Sequence, residues 1–230
     1  MAELVIYGSP ISPFVRKVAA CCIEKDVEYE IEAVNVFDPP EWFLDISPMK
    51  RIPVLRDRSV ASEGQEGTIA DSSAICAYLE KKHPEPALYP HHPYAHGRAL
   101  WIEEYADTNL AAIGGLGIFR PIFFSVTQGK EPDLDTARET WSTKMPPIFD
   151  YLEASLGDND YFVHDSVSIA DITVACCLMQ IGLVAELKLD RWPALAAHLE
   201  RMKARDSIAV PFAKAERAVR KALPEVCDLS

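Results

Sequence analysis

The sequence predicts a small α/β domain followed by an all-helical one, and three observations carry that prediction. Its 230 residues exceed the usual span of one small domain. Extended and helical periodicities alternate before residue 84, whereas beyond residue 93 apolar residues recur almost only at helical spacing. Between them lies His83-Pro84-Glu85-Pro86-Ala87-Leu88-Tyr89-Pro90-His91-His92-Pro93, where repeated prolines forbid a continuous helix. Residues 1–83 and 94–230 are therefore read as the two domains, with 84–93 as a proline-rich linker.

In the first domain, Leu4 to Tyr7 reads as extended, and Val15, Val18, Ala19, Cys22 and Ile23 fall on one face of a helix. Tyr29 to Val36 and Ile52 to Leu55 are again extended, Ser59 to Gly67 is a loop, Thr68 to Ala70 a short strand, and Ile75, Tyr78 and Leu79 are helical. The second domain is expected to hold helices near 94–126, 134–157, 169–187, 193–205 and 208–222.

Composition removes several functional classes. A hydrophobic fraction of 49% with 25% charged residues is that of a globular chain and excludes bulk disorder. Against 35 acidic residues stand 23 basic ones, a net charge of −12, the wrong sign for a partner of nucleic acid or of anionic membranes. The most apolar window, Asp171 to Glu186, is too short to span a bilayer. None of the six cysteines, Cys21, Cys22, Cys76, Cys176, Cys177 and Cys227, belongs to a C-x-x-C pair, so neither a disulfide framework nor a zinc site is expected. His91, His92 and His96 are read as a solvated turn, and no metal is expected. The chain opens directly into a strand-like run, which leads us to expect a reduced, cytoplasmic protein.

Three local motifs could carry chemistry. Ser12-Pro13 is an N-cap followed by an N1 proline. It reads as an ordinary capped helix or as an anion-receiving helix end. Arg16 and Lys17 in the first turns oppose the helix dipole, which favours a bound anion there. Lys50-Arg51-Ile52-Pro53 leads into a strand; its proline either opens the strand in trans or forms a cis turn that presents the Ile52 backbone. Asp71-Ser72 starts a helix, either as a cap or as a holder of a ligand's ammonium and carboxylate. A fourth motif, Ser168-Ile169-Ala170-Asp171, is a structural capping box: Ser168 satisfies an orphan N–H and Asp171 at N3 reaches back.

Taken in order, Ser-Pro-Phe-x-Arg-x-Val, Arg-Ile-Pro-Val-Leu, Asp-Ser and Ser-Ile-Ala-Asp resemble the cytosolic glutathione transferases, in their serine-type classes, over nearly the whole chain. The resemblance implies a thioredoxin-like first domain that binds glutathione and a helical domain that shapes the second-substrate pocket. It implies Ser12 as the catalytic hydroxyl, Pro53 as a cis-proline, Ile52 as the backbone partner of the glutathione cysteine, and Asp71 and Ser72 at the γ-glutamyl end. Lys50 and Arg51 become candidates for the glycyl carboxylate, and Phe14 joins the glutathione-binding set. It also implies glutathione as co-substrate, a small, apolar electrophile, and a homodimer. Ser12-Pro13-Phe14-Val15 resembles a glutaredoxin motif without its cysteines, which points to conjugation rather than disulfide exchange. The alternatives are a non-catalytic transferase-like interaction module and a glutathione-dependent reductase or peroxidase. Tyr7, near the end of the first strand, is a rival hydroxyl; as a buried aromatic it would instead be core. Trp101, Tyr105, Phe119, Phe123 and Phe124 could line an apolar pocket or simply form core.

Overall fold

Four short strands, β1 (Leu4–Tyr7), β2 (Tyr29–Glu32), β3 (Val54–Asp57) and β4 (Thr68–Ala70), form one sheet in the order β2-β1-β3-β4. β1 runs parallel to β2, with Leu4 opposite Tyr29, and antiparallel to β3, with Ile6 opposite Leu55. The computed structural model describes residues 2–163 and 165–230. The period of two in β1 divides the core. Leu4, Ile6 and Leu55 face helices α1 (Pro13–Glu24) and α3 (Ser72–Lys82), where they meet Val15, Val18, Ile75 and Leu79. Val5, Tyr7 and Val54 face the other way and pack with Val34, Phe43 and Ile46 under α2 (Glu41–Ile46). This is the thioredoxin-like α/β arrangement.

Two segments differ from the sequence reading. β2 ends at Glu32 rather than Val36: Glu32 O accepts the Gly8 N–H at 2.8 Å, and the chain then leaves the sheet toward Pro39 and Pro40. Helix α2 has only six residues, too few to display a helical period, and the sequence reading assigns no element there. The Ser59 to Gly67 loop is held by buried Arg56, which donates to the carbonyls of Ala61, Gly64 and Glu66 at 3.1, 2.6 and 3.0 Å.

No helix or strand occurs between Lys82 and Pro93, yet this connection is anchored. The Lys25 ammonium donates to His83 O and Pro86 O at 2.7 and 2.9 Å and pairs with Glu80 at 2.7 Å. Glu80 in turn accepts the Leu88 and Tyr89 N–H groups. The Glu85-Pro86 bond is cis.

Among the described residues beyond Lys82, the regular elements are all helices. A continuous run from Pro93 to Thr127 comprises α4 (Pro93–Tyr105), α5 (Ala111–Gly114) and α6 (Arg120–Thr127), joined by π turns at Ala106–Leu110 and Gly115–Phe119. By length and composition it could cross a membrane, a property the sequence reading placed on no segment; here its Ile102, Leu110, Ile118 and Ile122 are core residues. Glycines permit the close approaches: a Cβ on Gly114 would lie 2.7 Å from Ile181 Cδ1, and one on Gly117 only 2.4 Å from Thr140 Oγ1. Thr140 belongs to a third π turn, Thr140–Lys144, between α7 (Leu134–Glu139) and α8 (Met145–Leu156).

α9 (Ile169–Gly182) is apolar on all sides because all sides are covered, by α1, α4, α5 and α10 (Pro193–Lys203) among others. It ends at Gly182, earlier than the apolar pattern suggests, as Ala185 bridges to Cys227. The predicted capping box is present. Asp171 Oδ2 accepts from Ser168 N at 2.9 Å and Ser168 Oγ at 2.8 Å, while Oδ1 takes Phe162 N at 3.0 Å and contacts His198 Nε2 at 2.9 Å. Helix α11 (Asp206–Val219) closes the bundle against α1.

Candidate functional site

Ser12 occupies the N-cap of α1 with extended φ and ψ of −67° and 129°, and Pro13 follows at N1. Its Oγ accepts the Val15 N–H at 3.4 Å. That contact uses a lone pair and leaves the hydroxyl proton available to an outside acceptor. Phe14, half-buried, follows in the first turn.

Ile52-Pro53 is a cis bond. Ser47 fixes the turn before it: its Oγ accepts Arg51 N at 3.1 Å and donates to Arg51 O at 2.8 Å. Gly8 links this turn to Ser12. A Cβ there would stand 2.5 Å from Val15 Cγ2 and 3.5 Å from Ile52 Cβ, so the absent side chain lets the loop after β1, helix α1 and Ile52 close on one another. Lys50, at φ 54°, and Arg51 are both exposed beside that turn.

Asp71 caps α3 at φ 82°, its Oδ1 accepting Ser73 N at 2.9 Å and Ala74 N at 3.1 Å. The capping reading therefore holds for Asp71, through Oδ1. Ser72, the first helical residue, is buried.

One expectation is corrected. Arg16 and Lys17 do not face an anion at the α1 terminus; they are 2% and 1% exposed. Arg16 donates to Pro10 O, Ile11 O, Cys176 O and Gln180 Oε1, tying α1 to α9. Lys17 donates to Ser73 Oγ at 3.0 Å and Asp107 Oδ2 at 2.8 Å, and pairs with Glu103 at 2.7 Å. Their long stems carry both charges past the first turn to partners far away in sequence.

The rival hydroxyl lies in the core. Tyr7 is buried beneath α2, its ring 5.1 Å from that of Trp42 and its hydroxyl accepting from Arg56 Nε at 3.3 Å. The helical aromatics separate into groups: Phe119 and Phe123 are buried, whereas Tyr105 packs on Tyr151 with ring centres 4.4 Å apart. Phe124 meets Phe37 of the loop after β2, ring centres 5.5 Å apart, a contact no sequence signal announced.

The five cysteines Cys21, Cys22, Cys76, Cys176 and Cys177 are free and buried, and Cys227 is half-buried. Burial pushes the Cys176 thiol up to about 11, with Arg16 and Lys17 opposing. Among the described residues no cluster of three or more His, Cys, Asp or Glu side chains is arranged to hold a metal. A 590 Å³ groove lies between β2 and α11, lined by Pro10, Tyr29, Glu30, Val210 and Lys214 among others, and includes none of the predicted site residues.

Residues 6–87 match the glutathione S-transferase N-terminal domain and residues 118–211 its C-terminal domain. Over 76 residues, the chain is 41% identical to "Glutathione S-transferase DHAR2" of Arabidopsis thaliana; that match spans 33% of this chain and only 32% of the relative. The Escherichia coli K12 protein "Uncharacterized GST-like protein YibF" is 30% identical over 207 residues, covering 89% of this chain and 96% of YibF. A glutathione S-transferase of Methylobacterium radiotolerans, solved in complex with glutathione sulfonate, superposes with a TM-score of 0.72 at 25% identity over 91% of this chain and 94% of that one. With both domains matched in order and the YibF similarity covering 89% of the chain, the chain belongs to the glutathione S-transferase family.

Proposed function

We propose that this chain is a glutathione transferase of the serine type, in which Ser12 lowers the pKa of the glutathione thiol so that the thiolate attacks a small, apolar electrophile. The observation that carries this reading is the Ser12 N-cap: a hydroxyl whose proton is available, at the positive end of a twelve-residue helix. Ser12 donates to sulfur and forms no covalent bond. The glutathione backbone would pair with Ile52 at the cis-Pro53 turn, the γ-glutamyl ammonium with Asp71 Oδ2, and its carboxylate with the Ser72 hydroxyl and the α3 terminus. Lys50 and Arg51 supply positive charge for the glycyl carboxylate, and Phe14 flanks the sulfur end. Reduction through a protein thiol is the weaker reading, because Ser12 and Val15 stand where a redox cysteine pair would be and the six cysteines lie elsewhere.

Calorimetry with millimolar glutathione is expected to give a binding isotherm; no heat and no thermal shift would remove the reading. Asp71→Asn keeps an oxygen for Ser73 N and Ala74 N but loses the charge. It should raise the Michaelis constant for glutathione about tenfold, the worth of one charge-assisted hydrogen bond, and leave the thiolate pKa in place. Asp71→Ala should additionally cost about 1 kcal/mol of stability through the lost cap. An unchanged Michaelis constant in folded Asp71→Asn would show that Asp71 only caps.

We further propose a homodimer. Tyr94, Leu100 and Trp101 on α4 are exposed at 74%, 41% and 48%, an apolar surface that a second copy would cover. Light scattering should give about twice the 25.6 kDa chain mass, and a monomer at micromolar concentration would refute it.

A further inference from the structure

Lys17 sits five residues after Ser12 on α1, only 1% exposed, at the meeting of three elements. Its ammonium reaches Glu103 of α4 at 2.7 Å, Asp107 of the first π turn at 2.8 Å, and Ser73 of α3 at 3.0 Å. Ser73 is held on two sides by carboxylates: its N–H donates to Asp71 Oδ1 at 2.9 Å, and its hydroxyl donates to Asp107 Oδ2 at 3.2 Å. A continuous chain of hydrogen bonds thus runs from the helix capped by Ser12, through Lys17, Asp107 and Ser73, to the Asp71 carboxylate that caps α3.

Burial by itself would drive Lys17 to lose its proton, but Asp107 and Glu103 outweigh burial and hold it above the ordinary lysine value. The ammonium is therefore a fixed charge. A side chain recruited only to join α1 to α4 would need Glu103 alone; the contacts with Ser73 and Asp107 bring in the start of α3 as well.

We propose that Lys17 is a positioning residue for glutathione: through Ser73 and Asp107 it sets the first turn of α3, and with it Asp71 and Ser72, relative to the Ser12 helix. The proposal rests on the assignment of Asp71 and Ser72 to the γ-glutamyl end. It divides the variants by readout. Displacing Asp71 affects how tightly glutathione is held, whereas the sulfur, at Ser12, keeps its surroundings.

The test uses Ser73→Ala and Asp107→Asn in the full chain, with Asp133→Ala as a control that removes the exposed cap of α7 and touches neither helix of the chain. Lys17→Met leaves the buried Glu103 and the half-buried Asp107 without their cation, so it is read only if folded. Ser73→Ala and Asp107→Asn are each expected to weaken glutathione binding about three- to tenfold, the usual range for one lost hydrogen bond. The pKa of the bound thiol should stay within 0.3 units of wild type (about a factor of two) in both. The double variant should be little weaker than either single one, because both interrupt the same chain. Wild-type affinity in both single variants, or equal weakening in Asp133→Ala, would overturn the role of Lys17 alone. Failure of the unsubstituted chain to bind glutathione would remove this proposal together with the glutathione reading.

Discussion

Replacement of Asp171 by alanine is expected to destabilise this protein more than any other single change in the second domain. The carboxylate is 0% exposed and serves four partners: Phe162 N, Ser168 N, Ser168 Oγ and His198 Nε2. Alanine leaves the two backbone N–H groups and the His198 ring, also 0% exposed, without their acceptor. Each unsatisfied buried donor costs about 1–3 kcal/mol, and water can relieve only part of this, so a loss of about 4 kcal/mol is expected. Asp171→Asn should cost less, about 2 kcal/mol, because one amide oxygen still serves Phe162 N and His198 while the amide N–H₂ opposes the Ser168 N–H. The check is the urea midpoint at constant slope for the three proteins. A shift below about 1 kcal/mol in Asp171→Ala would mean that the box is replaceable and that packing of α9 alone holds this region.

What was legible in the sequence had a local cause. The Ser168 and Asp171 box, the Ser12-Pro13 cap and the Asp71 cap each depend on residues within three positions of one another, so spacing is enough to specify them. Alternating periods likewise sufficed for the order of strands and helices, since each face of β1 meets one layer of core. The failures involve distant partners. Lys17 and Arg16 looked like charges facing an anion because Asp107 and Gln180 lie 90 and 164 positions away. Both cations instead join α1 to the helical part of the molecule, and the helix end beyond Ser12 is left with its own N–H groups and hydroxyl as the attraction for an anion. The Phe37–Phe124 contact was hidden for the same reason, and α2 because six residues show no period.

Loss of that hydroxyl sets the largest expected effect on catalysis. Lowering a thiol from about 8.5 by two units requires roughly 2.7 kcal/mol of preference for the thiolate. A hydrogen bond to a charged acceptor contributes about 1.5–3 kcal/mol and a helix terminus about 0.3–1 kcal/mol, so Ser12 with α1 is sufficient and α1 alone is not. Ser12→Ala should therefore raise the apparent pKa of bound glutathione by about one to two units. At pH 7 most of the bound thiol would then be protonated, and the rate should fall about three- to twenty-five-fold. The sign gives a second check: a raised pKa costs activity below it and none above it, so the rates of Ser12→Ala and wild type should converge as pH rises past about 9. Some stability also goes with the cap, about 1 kcal/mol, which a thermal midpoint measures separately. Tyr7→Phe should leave the titration unmoved, because the Tyr7 hydroxyl is engaged by Arg56 at 3.3 Å in the core beneath α2. Thiolate absorbance titrations of both variants decide between the two hydroxyls: a large shift in Tyr7→Phe with none in Ser12→Ala would transfer the catalytic role to Tyr7.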